Sequence, residues 1–306
     1  MKKTLQDLGE DALIDRLVRL VPRDPDALAG PGDDCAVIDT GTPRVLQLLK
    51  TDAMVEGVHF LPDAPPRKIG WKAAARVLSD FAAMGGTPDR FLVTIALPPA
   101  WPVERIEGIY RGFGECLARH GGFLAGGETT RVPAGSAAVI SIAATGKVAP
   151  GHLITRSGGR PGDLVLVTGK LGGSIGGKHL SFTPRLAEAA WLVRHLKPTA
   201  MMDLSDGVAK DLPRLAKASG LGFTLDRTAV PRTKGCSVEQ ALGDGEDFEL
   251  LLTLPARKWT ARAAAAWKEA FPKLTLTVIG RLVEGQGEAL AGGWDHFGAA
   301  KGTPRP

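Results

Sequence analysis

Apolar residues recur along the 306-residue chain in two patterns, a helical spacing of three to four residues and short continuous runs. The first pattern predicts helices and the second predicts strands. Helical spacing begins at Leu5 and continues to Val18, and Pro22 ends that predicted helix. Further helices are predicted over 68–84, 103–120, 186–196, 207–218 and 257–270, and strands over 35–39, 45–51, 91–97, 122–125, 137–148, 164–168, 200–203, 223–225, 248–254 and 276–280. Because strands alternate with helices, the predicted fold class is α/β.

One predicted strand, residues 137–148, lacks polar alternation and is therefore expected to be buried on both faces. A turn-rich stretch of Gly, Pro and Asp residues follows at 157–163. The chain has about twice the usual length of a domain, so we place a boundary near Pro150. This division predicts an N-terminal domain over residues 1–149 and a C-terminal domain over residues 150–306.

Composition and charge exclude several functional classes. Cys35, Cys116 and Cys236 are widely spaced and form no CxxC pair, which argues against a disulfide framework or a structural zinc site and favours a reducing compartment. The net charge of +5 is dispersed, with no basic run interleaved with aromatic residues, so no nucleic-acid partner is expected. No apolar run resembles a signal core or a membrane span. We therefore expect a cytoplasmic protein without a membrane partner.

Acidic residues gather where glycine-rich turns meet apolar sequence. Asp33 and Asp34 precede a predicted strand, Asp52 ends the next strand, and Asp80 interrupts an apolar helix. The same placement recurs at Glu128, Asp203, Asp206, Glu246 and Asp247. Taken singly, each could cap a turn or face solvent. The recurrence is the informative feature, because it places one residue type at many element ends.

Convergence of these carboxylates would require a counter-charge. Two like charges roughly 4 Å apart repel by about 4 kcal/mol at an effective dielectric of about 20. Mg²⁺ resolves such repulsion by binding a few carboxylates while leaving positions for phosphate oxygens. The array therefore predicts a metal–nucleotide site, although the sequence alone does not establish that the acids meet.

Several other nucleotide and hydrolase signatures do not occur. The chain has no GxxxxGK[ST], HRD, DFG or HExxH motif. The glycine-rich stretch 169–178 resembles a phosphate loop only in part, because Lys178 is not followed by Ser or Thr. Walker-type NTPases and protein kinases are therefore excluded.

Eight segments, in order from about residue 30 to residue 297, resemble the thiamine-monophosphate kinase family. They are GDDCAVID (32–39), TDAMVEGVHF (51–60), LSDFAAMGGTP (78–88), GGETT (126–130), RSGGRPGD (156–163), MDLSDGVAKDL (202–212), GDGEDFELLLT (243–253) and GGWDHF (292–297). The resemblance implies the two-domain fold, α/β with mixed sheets, of aminoimidazole ribonucleotide synthetase and selenophosphate synthetase. In that fold the N-terminal domains pair into a homodimer beside the ATP cleft.

The resemblance also implies an activity and roles for individual residues. ATP and thiamine monophosphate would give ADP and thiamine diphosphate by in-line transfer at a site with several Mg²⁺ ions. The implied metal ligands are Asp34, Thr51, Asp52, Asp80, Glu128, Asp203 and Asp206, of which Asp52, Asp80 and Asp206 are the candidate catalytic residues. The implied ATP contacts are Gly127, Arg156 and Ser205, and the implied contacts to thiamine monophosphate are His59, Glu246 and Trp294.

The chain departs from the family pattern in four places. Glu128 replaces Asp, Lys50 replaces a small hydroxyl residue, Asp244 replaces Gly, and the span 177–184 is short. Lys50 could remove one metal position, or its amine could replace that charge. Two alternatives stay open: a kinase or synthetase of the same superfamily for another phosphorylated heterocycle, and a non-catalytic nucleotide-binding homologue.

Overall fold

A computed structural model describes residues 3–297 and contains two five-stranded sheets. The first half consists of α1 (Leu5–Leu8), α2 (Glu10–Val18), β1 (Ala36–Ile38), β2 (Leu46–Val55), α3 (Pro66–Ala83), β3 (Thr87–Leu97), α4 (Val103–His120), β4 (Phe123–Arg131) and β5 (Val139–Val148). The second half consists of β6 (Leu164–Thr168), α5 (Leu186–His195), β7 (Ala200–Asp203), α6 (Val208–Ala218), β8 (Gly222–Leu225), α7 (Val238–Gly243), β9 (Leu250–Leu254), α8 (Ala261–Ala270) and β10 (Leu276–Val283). The predicted α/β class with mixed sheets is confirmed.

The two sheets differ in strand order and in direction. The first has the order β1-β2-β5-β3-β4, and all its pairs are antiparallel except β3 with β4. The second has the order β7-β9-β6-β10-β8 and is antiparallel throughout. Within residues 3–297, no helix combines the length and the apolar character needed to cross a membrane.

Several predicted boundaries need correction. The predicted N-terminal helix is two helices, because Gly9 has a φ of 76° and interrupts the hydrogen-bonded turns. Strand β2 continues to Val55, and β4 continues to Arg131. Asp52 and Glu128 therefore lie inside strands and not after them.

The expectation that the strand at 137–148 is buried on both faces is wrong. Along β5 the side chains alternate, so that Ile140 and Ile142 are buried while Ala143 and Lys147 are exposed. Helices α3 and α4 cover one face of the first sheet only. The other face, here called the open face, carries the exposed half of each strand.

Helix α3 is the element that joins the two halves. It is buried at nearly every position from Ile69 to Ala83. Two glycines allow α3 and α4 to pack closely, since a Cβ at Gly70 would lie 1.8 Å from the Ile109 carbonyl oxygen and one at Gly112 would lie 1.8 Å from the Arg67 carbonyl oxygen. Its C-terminal residues pack into the core of the second sheet. Polar side chains on α3, such as Lys72 and Asp80, are therefore buried in the interior.

The glycine-rich stretch 169–177 is tied to the second sheet by two buried carboxylates. Asp247 accepts hydrogen bonds from the Gly172 amide at 3.0 Å and from the Ser174 hydroxyl. Glu249 accepts from the Thr168 hydroxyl at 2.8 Å and forms two bonds of 2.7 Å with Arg185. Burial raises the pKa of Asp247 to about 6, against the lowering effects of Lys178 and of these donors.

This raised pKa predicts a pH-dependent effect of Asp247→Asn. Between about pH 4 and about pH 6, Asp247 is protonated in the folded protein and ionised in the unfolded chain. The free energy of unfolding of the wild type therefore falls as the pH rises through this window. An asparagine side chain cannot ionise, so the free energy of unfolding of Asp247→Asn relative to the wild type should be higher at neutral pH than at pH 4, by up to roughly 3 kcal/mol. Urea unfolding across this pH range, with exposed Asp15→Asn as the control, measures the difference; a pH-independent difference contradicts the prediction.

Candidate active site

Three of the predicted metal ligands meet between the two halves. Asp34 precedes β1, Asp80 lies on α3 and Asp203 ends β7, and their ligand oxygens lie within 4.8 Å of one another. All three side chains are buried. Asp34 Oδ2 has no hydrogen-bond partner among the described residues, although it is fully buried. Three converging carboxylates with an orphaned oxygen fit a hard divalent cation such as Mg²⁺.

Burial and repulsion between neighbouring carboxylates raise the pKa of two members of this cluster, Asp80 and Asp203. The pKa of Asp80 is raised well above its ordinary value, first by burial and then by Asp203, Asp34 and Asp52, against the opposing effect of Lys50. The pKa of Asp203 is raised to about 6 by burial and by Asp34. A bound cation would reverse this preference, because it stabilises the ionised carboxylates.

Two basic side chains form ion pairs with the acidic cluster. Lys50 Nζ lies 2.7 Å from Asp80 Oδ1, and an Arg156 guanidinium nitrogen lies 2.5 Å from Asp34 Oδ1. These side chains come from β2 and from the turn that opens the second half. Lys50, one of the departures from the family pattern, is therefore aimed at the acidic cluster. Its ammonium occupies a place beside Asp80 where a charge-neutralising group is needed.

A row of three charged residues runs along one face of α3. Lys72, Arg76 and Asp80 are spaced four residues apart, so they lie above one another on the helix. Arg76 pairs with Asp52 through contacts of 2.9 and 3.0 Å. Asp52 thus lies beside the α3 row, next to the cluster but outside the set of three converging carboxylates.

Asp206 lies at a separate position, at the start of α6. It pairs with Arg214 at 2.6 Å and lies 3.9 Å from Lys210. Its backbone amide donates to Asp211 at 2.9 Å. The structure therefore does not bring Asp206 into the group of Asp34, Asp80 and Asp203.

Thr51 and Glu128 lie on the open face of the first sheet, away from the acidic cluster. Successive residues of β2 point to opposite faces, so Thr51 points away from the side on which Lys50 and Asp52 meet α3. Glu128 pairs in register with Thr94 and shares its face, and it is exposed. Their predicted roles as metal ligands stay predictions.

The predicted nucleotide contacts come from three separate segments of the chain. Arg156 contacts Asp34, and the Ser205 carbonyl accepts a hydrogen bond of 2.7 Å from the Glu246 amide. Gly127 lies in β4, where a Cβ would be 2.1 Å from the Val93 carbonyl oxygen. Only glycine fits that position without a shift of the neighbouring strand.

The three residues predicted to contact thiamine monophosphate are linked by two further side chains. Rings of His59 and His296 lie 5.5 Å apart, and those of His296 and Trp294 lie 5.8 Å apart. Lys72 donates to the His59 carbonyl oxygen at 2.7 Å and also pairs with Glu246. His59, Glu246 and Trp294 therefore form one group, here called the acceptor group.

The ring of His59 is held neutral. Burial, followed by the charge of Arg76, lowers the pKa of His59 to about 3. Its Nδ1 accepts a hydrogen bond of 3.0 Å from the Val55 amide. A neutral imidazole in this position can donate from Nε2 but carries no charge above about pH 4.

Sequence reasoning missed several charged residues that complete the site. Lys72, Arg76 and His179 are buried or half-buried and contact predicted site residues. The available signal was the four-residue spacing of Lys72, Arg76 and Asp80 in a helix that is otherwise apolar. Asp244, a departure from the family pattern, accepts a hydrogen bond of 2.9 Å from the Gly173 amide, so it faces the glycine-rich stretch.

The family models for AIR synthase related proteins match both halves of the chain. The N-terminal domain model covers residues 32–148 and the C-terminal domain model covers residues 160–293. The chain therefore belongs to the AIR synthase related proteins. Within that class, it belongs to the thiamine-monophosphate kinase family.

Two curated relatives and one solved structure support the narrower assignment. The thiamine-monophosphate kinase of Rhodopirellula baltica is 34% identical over 276 residues, covering 85% of this chain and 84% of the relative. That of Salmonella typhimurium is 32% identical over 331 residues, covering 94% and 98%. The structure of AaThiL complexed with AMPPCP and TMP has 29% identity and a TM-score of 0.83, and covers 97% of this chain and 99% of that one.

Lys50→Met is predicted to make the fold depend more strongly on Mg²⁺. Without Lys50, Asp80 loses its ion-pair partner, and the metal-free protein should lose about 2 kcal/mol, between the values for exposed and buried pairs. Millimolar Mg²⁺ should recover more stability in the variant than in the wild type, because the ion supplies the missing charge. Thermal unfolding with and without Mg²⁺ measures this.

The matched control is Lys147→Met, which removes an exposed strand lysine paired with Asp89 at 3.0 Å. It should leave the Mg²⁺-induced shift of the melting temperature unchanged. An identical shift in wild type, Lys50→Met and Lys147→Met would show that Lys50 does not share the role of the metal.

Proposed function

We propose that this protein transfers the γ-phosphoryl group of ATP to the phosphate of thiamine monophosphate, giving ADP and thiamine diphosphate. The observation that carries the proposal is the meeting of Asp34, Asp80 and Asp203 beside the acceptor group, in a member of the thiamine-monophosphate kinase family. The related AaThiL binds AMPPCP, an ATP analogue, together with TMP. The substrates proposed here, ATP and thiamine monophosphate, correspond to these two ligands.

Catalysis in this proposal is mainly positioning and charge neutralisation. Asp34, Asp80 and Asp203 would hold Mg²⁺, which neutralises phosphate charge when it is bound. Arg156 is a fixed cation next to Asp34 and is placed to contact a phosphate. The Lys50 ammonium beside Asp80 adds a charge that needs no metal. No side chain has to form a covalent intermediate.

The acceptor group supplies recognition of the heterocyclic substrate. Trp294 offers an aromatic face on which a heteroaromatic ring can stack. Neutral His59 and the Glu246 carboxylate offer one donor and one acceptor near that face. We also propose that Gly127 and Ser205 contact ATP, and that Thr51, Asp52, Glu128 and Asp206 contribute to metal binding.

We further propose that two copies pair through the open face of the first sheet. Leu92 and Phe123 are 48% and 67% exposed on β3 and β4, and a groove of about 490 Å³ runs past Ala143. Exposed apolar strands of this kind are commonly covered by a partner.

The division into domains at 1–149 and 150–306 remains a proposal. Each sheet lies within one of these ranges, and α3 contacts both cores.

The activity is tested by incubating the protein with ATP, Mg²⁺ and thiamine monophosphate and measuring ADP and thiamine diphosphate by mass. The two products should form in equal amounts. Asp80→Asn should lower kcat at least about a hundredfold, because it removes one charge from the centre of the cluster. Exposed Asp63→Asn is the control and should retain wild-type turnover.

The outcomes separate the parts of this proposal. ADP released without thiamine diphosphate would reject the acceptor and keep the nucleotide site. Near-normal turnover by Asp80→Asn would remove Asp80 from the reaction. Neither result depends on the pairing of two copies.

Pairing through the open face is tested by light scattering after gel filtration. The wild type should have twice the mass of one chain, and Ala143→Arg should have the mass of one, because the substitution places a charge in the central strand of the interface. Ala256→Arg, an exposed position in the second half, is the matched control. A wild type that is monomeric at micromolar concentration, or a dimeric Ala143→Arg, would reject this interface.

A further inference from the structure

Lys72 is a fully buried lysine that the mechanism above does not use. Its side chain has 0% exposure, in the middle of α3. An ammonium in the interior is destabilising unless acceptors surround it, because it has lost its hydration. Leucine or methionine at this position would pack an apolar helix with less penalty. The groups that Lys72 Nζ contacts therefore indicate the role of this buried charge.

The acceptors around Lys72 come from three different segments. Nζ donates to the His59 carbonyl oxygen at 2.7 Å and to Glu246 Oε2, and it lies 2.8 Å from His179 Nδ1. His179 Nδ1 also lies 3.2 Å from Glu246 Oε2. The segments are the loop after β2, the short helical turn after the glycine-rich stretch, and the loop before β9. One ammonium thus joins three segments that lie outside the strands and the α-helices.

Glu246 needs such support more than an ordinary surface glutamate does. Its φ is 57°, in the left-handed region that non-glycine residues adopt only when neighbouring contacts hold them there. Its amide donates to the Ser205 carbonyl at 2.7 Å, and the Phe248 amide donates to the Leu204 carbonyl at 2.9 Å. These bonds fix the backbone, while the ion pair with Lys72 fixes the carboxylate.

We infer that Lys72 is a positioning residue of the acceptor group: it orients the Glu246 carboxylate and the His59 loop toward the phosphorylated heterocycle. This inference rests on the proposed function, in which His59 and Glu246 contact thiamine monophosphate. In this role Lys72 acts through Glu246 and His59. It lies two helical turns, about 12 Å along the axis, from Asp80. The same helix therefore sets the acceptor group and the metal cluster relative to each other.

Steady-state kinetics of Lys72→Met and Lys72→Arg test the role. Lys72→Met should raise the KM for thiamine monophosphate by roughly tenfold to a hundredfold, the effect expected for loss of charge-assisted hydrogen bonds. The KM for ATP should change less than about twofold. Lys72→Arg keeps a donor cation and should recover part of the acceptor affinity. Equal effects on both substrates would assign Lys72 to general packing and overturn the inference.

A double-mutant cycle with Glu246→Gln shows whether Lys72 acts through Glu246. In the Glu246→Gln background, Lys72→Met should raise the acceptor KM by less than about threefold, because the group it orients has already lost its charge. Additive effects would contradict the positioning role. The double variant also removes the buried uncompensated carboxylate, so it keeps the test open if Lys72→Met alone fails to fold.

Lys258→Met is the matched control. Lys258 donates to the Leu196 and Lys197 carbonyl oxygens at 2.8 and 3.1 Å, at the end of α5 and away from the acceptor group. It should lower stability without changing either KM. A similar rise in the acceptor KM would mean that loss of any structural lysine gives this phenotype.

A spectroscopic readout separates this inference from the proposed function. His179 Nδ1 lies 2.8 Å from Lys72 Nζ and 3.2 Å from Glu246 Oε2, so its ¹⁵N signal reports on the contact between these two residues. This signal should move in Lys72→Met and stay in place in Lys258→Met. An unchanged His179 signal in Lys72→Met overturns the inference whatever the activity. A wild type that forms no thiamine diphosphate, together with a moved signal in Lys72→Met, overturns only the proposed acceptor.

Discussion

A buried helix that carries charged residues is the constraint on which this site depends. Because α3 is covered on nearly all sides, Lys72, Arg76 and Asp80 are largely removed from water and are stabilised by partners inside the protein. Their partners come from β2 and from the loop before β9, so the electrostatic requirement of one helix brings the two halves of the chain together. The position of the site therefore depends on the ion-pair partners of the charged α3 side chains as much as on the acidic residues themselves.

The balance of charge explains how a cluster of carboxylates can exist in a folded chain. Burial and neighbouring carboxylates raise the pKa of Asp80 and Asp203, which disfavours the ionised form that a metal ligand needs. Lys50 and Arg156 act in the opposite direction, since each stabilises an ionised carboxylate. A metal or a phosphate entering this site would meet charges that are already arranged in pairs, so little reorganisation is required.

The sequence predicts the acidic cluster better than it predicts the rest of the site. Asp34, Asp80 and Asp203 could be identified because acidic residues recur beside apolar sequence and the family resemblance implies that they bind metal, whereas their convergence is seen only in the structure. Lys72 and Arg76 could not, because a cation in a helix is ordinarily solvent-exposed and only tertiary packing shows that α3 is covered. The faces of Thr51 and Glu128 depend on strand extent and register, where a shift of one residue exchanges the two sides of a sheet.

The open face of the first sheet carries small and apolar residues that the fold of a single chain does not explain. The lack of polar alternation at 137–148 predicts burial on both sides, yet α3 and α4 cover only one. Small residues such as Ala143 on the uncovered side allow another sheet to approach closely, while Leu92 supplies apolar area. One chain thus covers this strand on the helix side only, and the proposed pairing of two copies would cover the other side. The same covering would enclose Thr51 and Glu128, which a single chain leaves in solvent.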